Sequence, residues 1–428
     1  MLLRMLSVII LSGTLAAAAA CVDRGSGTKQ NSKPAANESS APAGATAAAP
    51  LAPADFALKL QSLLGQHSLL AADMMRARIR GDDDFAQAAN NALGKNTDGI
   101  TQLVQGAFGD QASNQFKSVW SPHVAAFFTY ARGLADHDNA VVDQARTSLA
   151  TFENSLAAFF SGASQGRLPL DKAKANVLMH VTQLTQQADA YAAKDYAKAD
   201  QIYREAYAHT YALGKALSSV LLPPAQTVAL QAPAWTLRSE LDKLLGEHVV
   251  LVVDAERAGL RNSPDFATAA ATVNGNTKDI AAAIDSLFGP AAAQQMQGLW
   301  ADHVDQLMAY TTAVATKNQQ QREDARAKLA AFEGKLAAFL DTATNKKLDS
   351  ATVAKALAMH DKMLIDHADA FAAKDYAKAH DLEYTTYEHM YGLAGQMADA
   401  FGSTVMGKVP AGGAETGEGG MAGQMSHR

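Results

Sequence analysis

Eight histidines carry the chemistry that this sequence advertises. They form two sets of four with nearly the same spacing, His67, His123, His180 and His209, then His248, His303, His360 and His389. A neutral imidazole offers one nitrogen lone pair and suits Zn²⁺, Cu²⁺, Fe²⁺ and Ni²⁺. Four imidazoles delivered by separate segments therefore read as a candidate metal site, with Glu153 and Glu333 as further candidate ligands. The chain has one cysteine, so a thiolate-based structural zinc site is excluded, and no Cys-x-x-Cys-His motif is present to attach a haem. There is no Gly-rich phosphate loop and no convincing hydrolytic triad, so no catalytic residue is assigned and enzymatic chemistry is not expected.

The sets belong to an internal repeat. Leu63-Leu64-Gly65-Gln66-His67 answers Leu244-Leu245-Gly246-Glu247-His248, and the run Ala192 to Ala199 recurs letter for letter from Ala372 to Ala379. The offset is 181 before Asn96 and 180 after it. A duplicated domain follows, with repeat 1 over residues 54–222, a Pro-containing linker over 223–232 and repeat 2 over 233–405.

The elements that must position the histidines read as helices throughout, because apolar residues recur at three and four and breakers fall at segment ends. Repeat 1 predicts long helices over 54–80, 110–137, 139–163, 170–193 and 196–220, with short ones over 84–94 and 98–108. Asn96-Thr97 and Asn276-Thr277 read as N-caps, and Phe108-Gly109 and Phe288-Gly289 as helix ends closed by a left-handed glycine. With no strand-like alternation, the fold class is all-α, two tandem antiparallel helical bundles related by internal duplication.

On those helices His67 shares a stripe with Leu60, Leu63, Leu64, Leu70 and Met74. His123 shares one with Phe116, Trp120, Phe127 and Tyr130, and His180 with Val177, Leu184 and Tyr191. His209 is assigned to a stripe with Ile202, Ala206 and Leu213. Each lies near the middle of its helix. At a rise of about 1.5 Å per residue all four stand within roughly 3 Å of one level, so they are expected to converge on one point. Trp120 and Trp300 read as core anchors, and Met179 and Met359 as core packing. Asp73 with Arg76, and Asp254 with Arg257, have the spacing of surface ion pairs.

The run Leu63-Leu64-x-x-His67, Asn96, Trp120-x-x-His123, Met179-His180 and Tyr207-x-His209 resembles a duplicated all-helical domain of bacterial envelope proteins often labelled "copper amine oxidase-like". The resemblance spans residues 54 to about 402 and implies a repeated helical domain without a settled activity. The Asn-Tyr-Asp/Glu triplet of quinone-dependent amine oxidases is absent from the chain, so amine oxidation is not expected.

The ends of the chain supply location. Arg4 precedes an apolar run from Leu6 to Ala20, too short to span a bilayer, which reads as a cleaved signal peptide over residues 1–20. Leu15 to Ala20 directly before Cys21 resembles the bacterial lipoprotein signal, whose cysteine is acylated. Val22 after it fits sorting to the periplasmic face of an outer membrane. Residues 21–53 and 406–428, rich in Ala, Pro, Ser and Gly, read as a disordered tether and tail. The net charge of −6 without basic runs argues against nucleic acid. The membrane, through the lipid, is the one partner expected. The expected function is a metal-binding (copper, iron or zinc) envelope lipoprotein, with a structural scaffold or a hemerythrin-like redox or gas-binding module as the alternatives.

Overall fold

The computed structural model describes residues 51–405. The signal-peptide, Cys21 and tail assignments, and the tether up to residue 50, lie outside the described residues. Within them the chain forms helices α1 (Pro53–Arg80), α2 (Asp83–Ala135), α3 (Asn139–Ala163), α4 (Leu170–Ala192) and α5 (Tyr196–Leu221). Two short 3₁₀ turns, Pro224–Gln226 and Val228–Gln231, occupy the expected linker. Then come α6 (Pro233–Leu260), α7 (Phe266–Phe288), α8 (Pro290–Ala315), α9 (Gln319–Ala343), α10 (Ser350–Ala372) and α11 (Tyr376–Val405). No strand occurs among the described residues, and none of their helices is long and apolar enough to cross a membrane.

Prolines at the first turns of α1 and α6 set the helical φ where no amide donor is needed. Gly81 closes α1 in the left-handed conformation, its amide bonding back to Arg78 and that of Asp82 to Ala77. The breaks at Gly109 and Gly289 fall where the sequence puts them, but not as left-handed caps. Their φ/ψ pairs of 84°/174° and 87°/173° lie in a region open essentially to glycine alone, and the chain turns directly into a new helical segment. The expected N-caps at Asn96 and Asn276 are corrected outright. Residues 83–108 are one continuous helical run, α7 is another, and both asparagines are buried inside them. Their side-chain amides donate sideways instead, Asn96 to the Leu63 carbonyl (3.0 Å) and Gln66 Oε1 (2.9 Å), Asn276 to the Leu244 carbonyl (3.0 Å) and Glu247 Oε2 (2.9 Å). A buried amide whose NH2 donates across a helix pair does not interrupt its own helix.

Two helices stand at the centre. Every residue of α1 from Leu60 to Ala77 and of α6 from Leu244 to Ala258 is buried. Helix α1 packs against α2, α4 and α5, and α6 against α7, α8, α10 and α11, while α1 and α6 also touch each other. Helices cross between the halves as well, α2 meeting α11 and α5 meeting α7, and the described residues fall in one compact unit.

The same crossing overturns the surface reading of two ion pairs. Asp73, Arg76, Asp254 and Arg257 are all buried. Rather than pairing along their own helices, Arg76 binds Asp254 (3.1 Å) and Arg257 binds Asp73 (2.8 Å), from one half to the other. Arg76 also meets Asp200 (2.9 Å) and Arg257 meets Glu383 (2.6 Å). A guanidinium taken out of water is tolerated only when its donors find carboxylates.

Candidate metal centres

Helices α1, α2 and α4 deliver His67, His123 and His180 to one point, and α6, α8 and α10 deliver His248, His303 and His360 to another. In each trio one ligand nitrogen per ring can be chosen so that all three lie within 4.8 Å of one another, and all six residues are buried. Ring centroids are 5.0, 5.6 and 6.2 Å apart in the N-terminal trio and 5.5, 5.8 and 5.7 Å in the C-terminal one. Tetrahedral bonds of about 2.0–2.1 Å would place ligand nitrogens about 3.4 Å apart. His67 Nε2 and His123 Nε2 are already at 3.0 Å. The donor set therefore fits a transition metal.

Aromatic side chains fix the rings. Phe152 stacks on His123 at 4.2 Å and 10°, and Phe332 on His303 at 4.5 Å and 17°. Trp120 lies 4.7 Å from the His67 ring, and Trp300 Nε1 donates to His248 Nδ1 at 3.2 Å, so both tryptophans are core anchors that also touch the site. Phe152 and Phe332 belong to the buried face of α3 and α9, a face the sequence makes visible without saying which side chain it covers.

Polar satisfaction is poor. Both nitrogens of His180, His303 and His360 lack a hydrogen bond, as do His67 Nδ1 and His248 Nε2. His123 is the exception, its Nδ1 donating to the Trp120 carbonyl, which leaves Nε2 as the lone-pair nitrogen. Burial drives the imidazoles toward the neutral form, taking His123 down to about 4 against the opposing bond to Trp120, and His248 down to about 3. It holds His67, His180, His303 and His360 well below the ordinary value too, with neighbouring imidazoles adding to the effect. The neutral imidazole is the form that binds a metal ion.

The fourth histidine of each set does not join. His209 and His389 are only partly buried, and their Nε2 groups donate to the main-chain carbonyls of Asn176 (3.1 Å) and Ala356 (2.9 Å). Each straps the last helix of its half to the preceding one. The expected four-histidine site is thus corrected to three. The face assigned to His209 does not hold, because α5 buries Tyr203, Ala206, Tyr207, Thr210 and Gly214, while Leu213 is half-buried and Ala216 exposed. The tyrosines four residues apart were the signal for that face.

Glu153 is half-exposed and belongs to neither trio. Glu333 also stays outside, but lies beside Asp361, a residue the sequence reading passed over. Asp361 is 2% exposed, and its Oδ1 stands 3.4 Å from His303 Nδ1. Burial, then the Glu333 charge, pushes the Asp361 carboxyl well above its usual range. Met179 and Met359, expected in the core, are each 48% exposed, because the neighbour of an inward residue points about 100° away.

A small apolar cavity adjoins His67 and His180, walled by Leu64, Leu156, Val177 and Leu217 with Thr210. Three histidines leave a fourth tetrahedral position unfilled by protein, and the cavity lies beside two of the three rings of the N-terminal trio. Comparison with family models, curated proteins and solved structures finds no match.

Proposed function

We propose that the chain is a metal-binding lipoprotein of the cell envelope, built by internal duplication of one helical unit, with a three-histidine centre for copper, iron or zinc in each half. The observation that carries this reading is the pair of buried trios whose ring nitrogens meet one another and little else. A purely structural imidazole layer would close its hydrogen bonds, since each unsatisfied buried group costs about 1–3 kcal/mol. Duplication is supported by the repeated sequence and by helix order, α6 to α11 following the pattern of α1 to α5 with α2 divided at its glycine. The envelope assignment rests on the Leu6 to Ala20 run and Cys21. The apolar cavity beside His67 and His180 favours a second reading, redox or gas binding at an open coordination position.

Elemental analysis of protein purified from metal-replete medium tests the reading. Close to two transition-metal ions per chain are expected, falling to one in either His67→Ala or His248→Ala. Absence of stoichiometric metal, or a content indifferent to both substitutions, would overturn it. Iron accompanied by visible absorption would mark the redox or gas-binding form.

A further inference from the structure

The halves differ at one position that matters to their centres. With the 180-residue offset, Asp361 of α10 stands where α4 has Val181, each immediately after the last histidine of its trio. Val181 is a buried apolar residue. Asp361 is a buried carboxyl group with neither oxygen in a regular hydrogen bond, and its Oδ1 stands 3.4 Å from His303 Nδ1, which also lacks one. In the N-terminal trio the equivalent ring nitrogen, His123 Nδ1, faces the neutral Trp120 carbonyl. Only the C-terminal arrangement sets a carboxyl group beside a ring nitrogen.

That difference has a chemical consequence. A histidine that binds metal through one nitrogen usually passes its other N–H to a carboxylate or carbonyl, which fixes the tautomer and raises the basicity of the ligand. In a water-poor interior an anion also offsets the cost of bringing a double positive charge out of solvent. We propose that Asp361 is the orienting carboxylate of the C-terminal centre, holding His303 with its Nε2 lone pair free, and that it makes this centre the tighter of the two for a divalent cation. The proposal rests on the metal-binding reading above and assigns Asp361 a positioning role rather than a place among the ligands. The N-terminal centre, ringed by neutral groups, takes the same ion more weakly.

The full chain is titrated with Zn²⁺ against a competing chelator, and with Co²⁺ followed by its visible bands. His67→Ala leaves the C-terminal centre intact and His248→Ala the N-terminal one, so each is read separately. The isolated C-terminal centre should bind Zn²⁺ more tightly than the isolated N-terminal centre. Asp361→Asn, which keeps the shape and removes the charge, should weaken it by about 10–100-fold and leave the N-terminal centre unchanged. Val181→Asp should strengthen the N-terminal centre. A merely structural Asp361 would alter the unfolding temperature of the metal-free protein without altering the ratio of the two affinities. Equal affinities with no response to Asp361→Asn overturn the proposal while leaving metal binding in place. Failure of both isolated centres to bind overturns the metal-binding reading together with it.

Discussion

An imidazole held neutral in a protein interior reports its own environment when the solution is acidified. His248 is buried, and its Nε2 lacks a partner. Desolvation takes it to about 3, far below the ordinary value near 6.5. The sign follows from proton linkage. Below pH 6.5 the unfolded chain takes up a proton there and the folded chain does not, so stability present above 6.5 is lost as pH falls toward 3. His248→Phe removes that liability. Measured by urea unfolding with a chelator present, the variant should gain on the parent by about 1.4 kcal/mol per pH unit between 6.5 and 4, with a constant difference above 7. The Trp300 bond lost in the variant contributes only a pH-independent offset. A gap that does not change with pH would mean that His248 carries a proton in the fold. At this scale the sequence is informative but incomplete. Stripes on α1, α2 and α4 identify His67, His123 and His180, whereas α5 offers two candidate faces, and only the four-residue spacing of Tyr203, Tyr207 and Tyr211 marks the inward one. Asp361 escapes because a lone aspartate carries no pattern.

Elements hold the trios at one level by packing closely. Helix α5 approaches α1 at Gly214, where an added Cβ would stand 2.6 Å from Gln61 Cα and 2.7 Å from Gln61 N. Backbone cannot step aside as a flexible side chain can, so Gly214→Ala should destabilise by about 1–3 kcal/mol through overpacking. Gly334, exposed on α9 with nothing near its Cβ position, supplies the contrast. Gly334→Ala should stabilise by up to about 1 kcal/mol through helix propensity alone. Thermal melts of the two variants check both signs, and a tolerated Gly214→Ala would contradict the close α1–α5 contact. Helix positions are legible in the sequence because periodicity and breakers act locally. The N-cap reading of Asn96 and Asn276 fails for the complementary reason, since their partners lie about thirty residues away on another helix.

The whole molecule is where local reading loses most. Spacing suggests that Asp73–Arg76 and Asp254–Arg257 are surface pairs, and only the meeting of α1 with α6 makes them buried and reciprocal. Removing one half would take Asp254 from Arg76 or Asp73 from Arg257, leave each guanidinium with only the carboxylate of its own half, Asp200 or Glu383, and expose the buried contact of α1 with α6. Residues 51–405 should therefore unfold in one calorimetric transition, and two separate transitions would contradict the interlocked arrangement. The same scale sets the central claim, two metal centres held by three histidines each within one helical body. Anomalous diffraction from crystals of the metal-replete protein, recorded on both sides of the absorption edge of the bound element, tests it most directly. The account predicts two peaks per chain, one among His67, His123 and His180 and one among His248, His303 and His360. Peaks at other residues, or none in crystals grown with excess copper, iron or zinc, would contradict it.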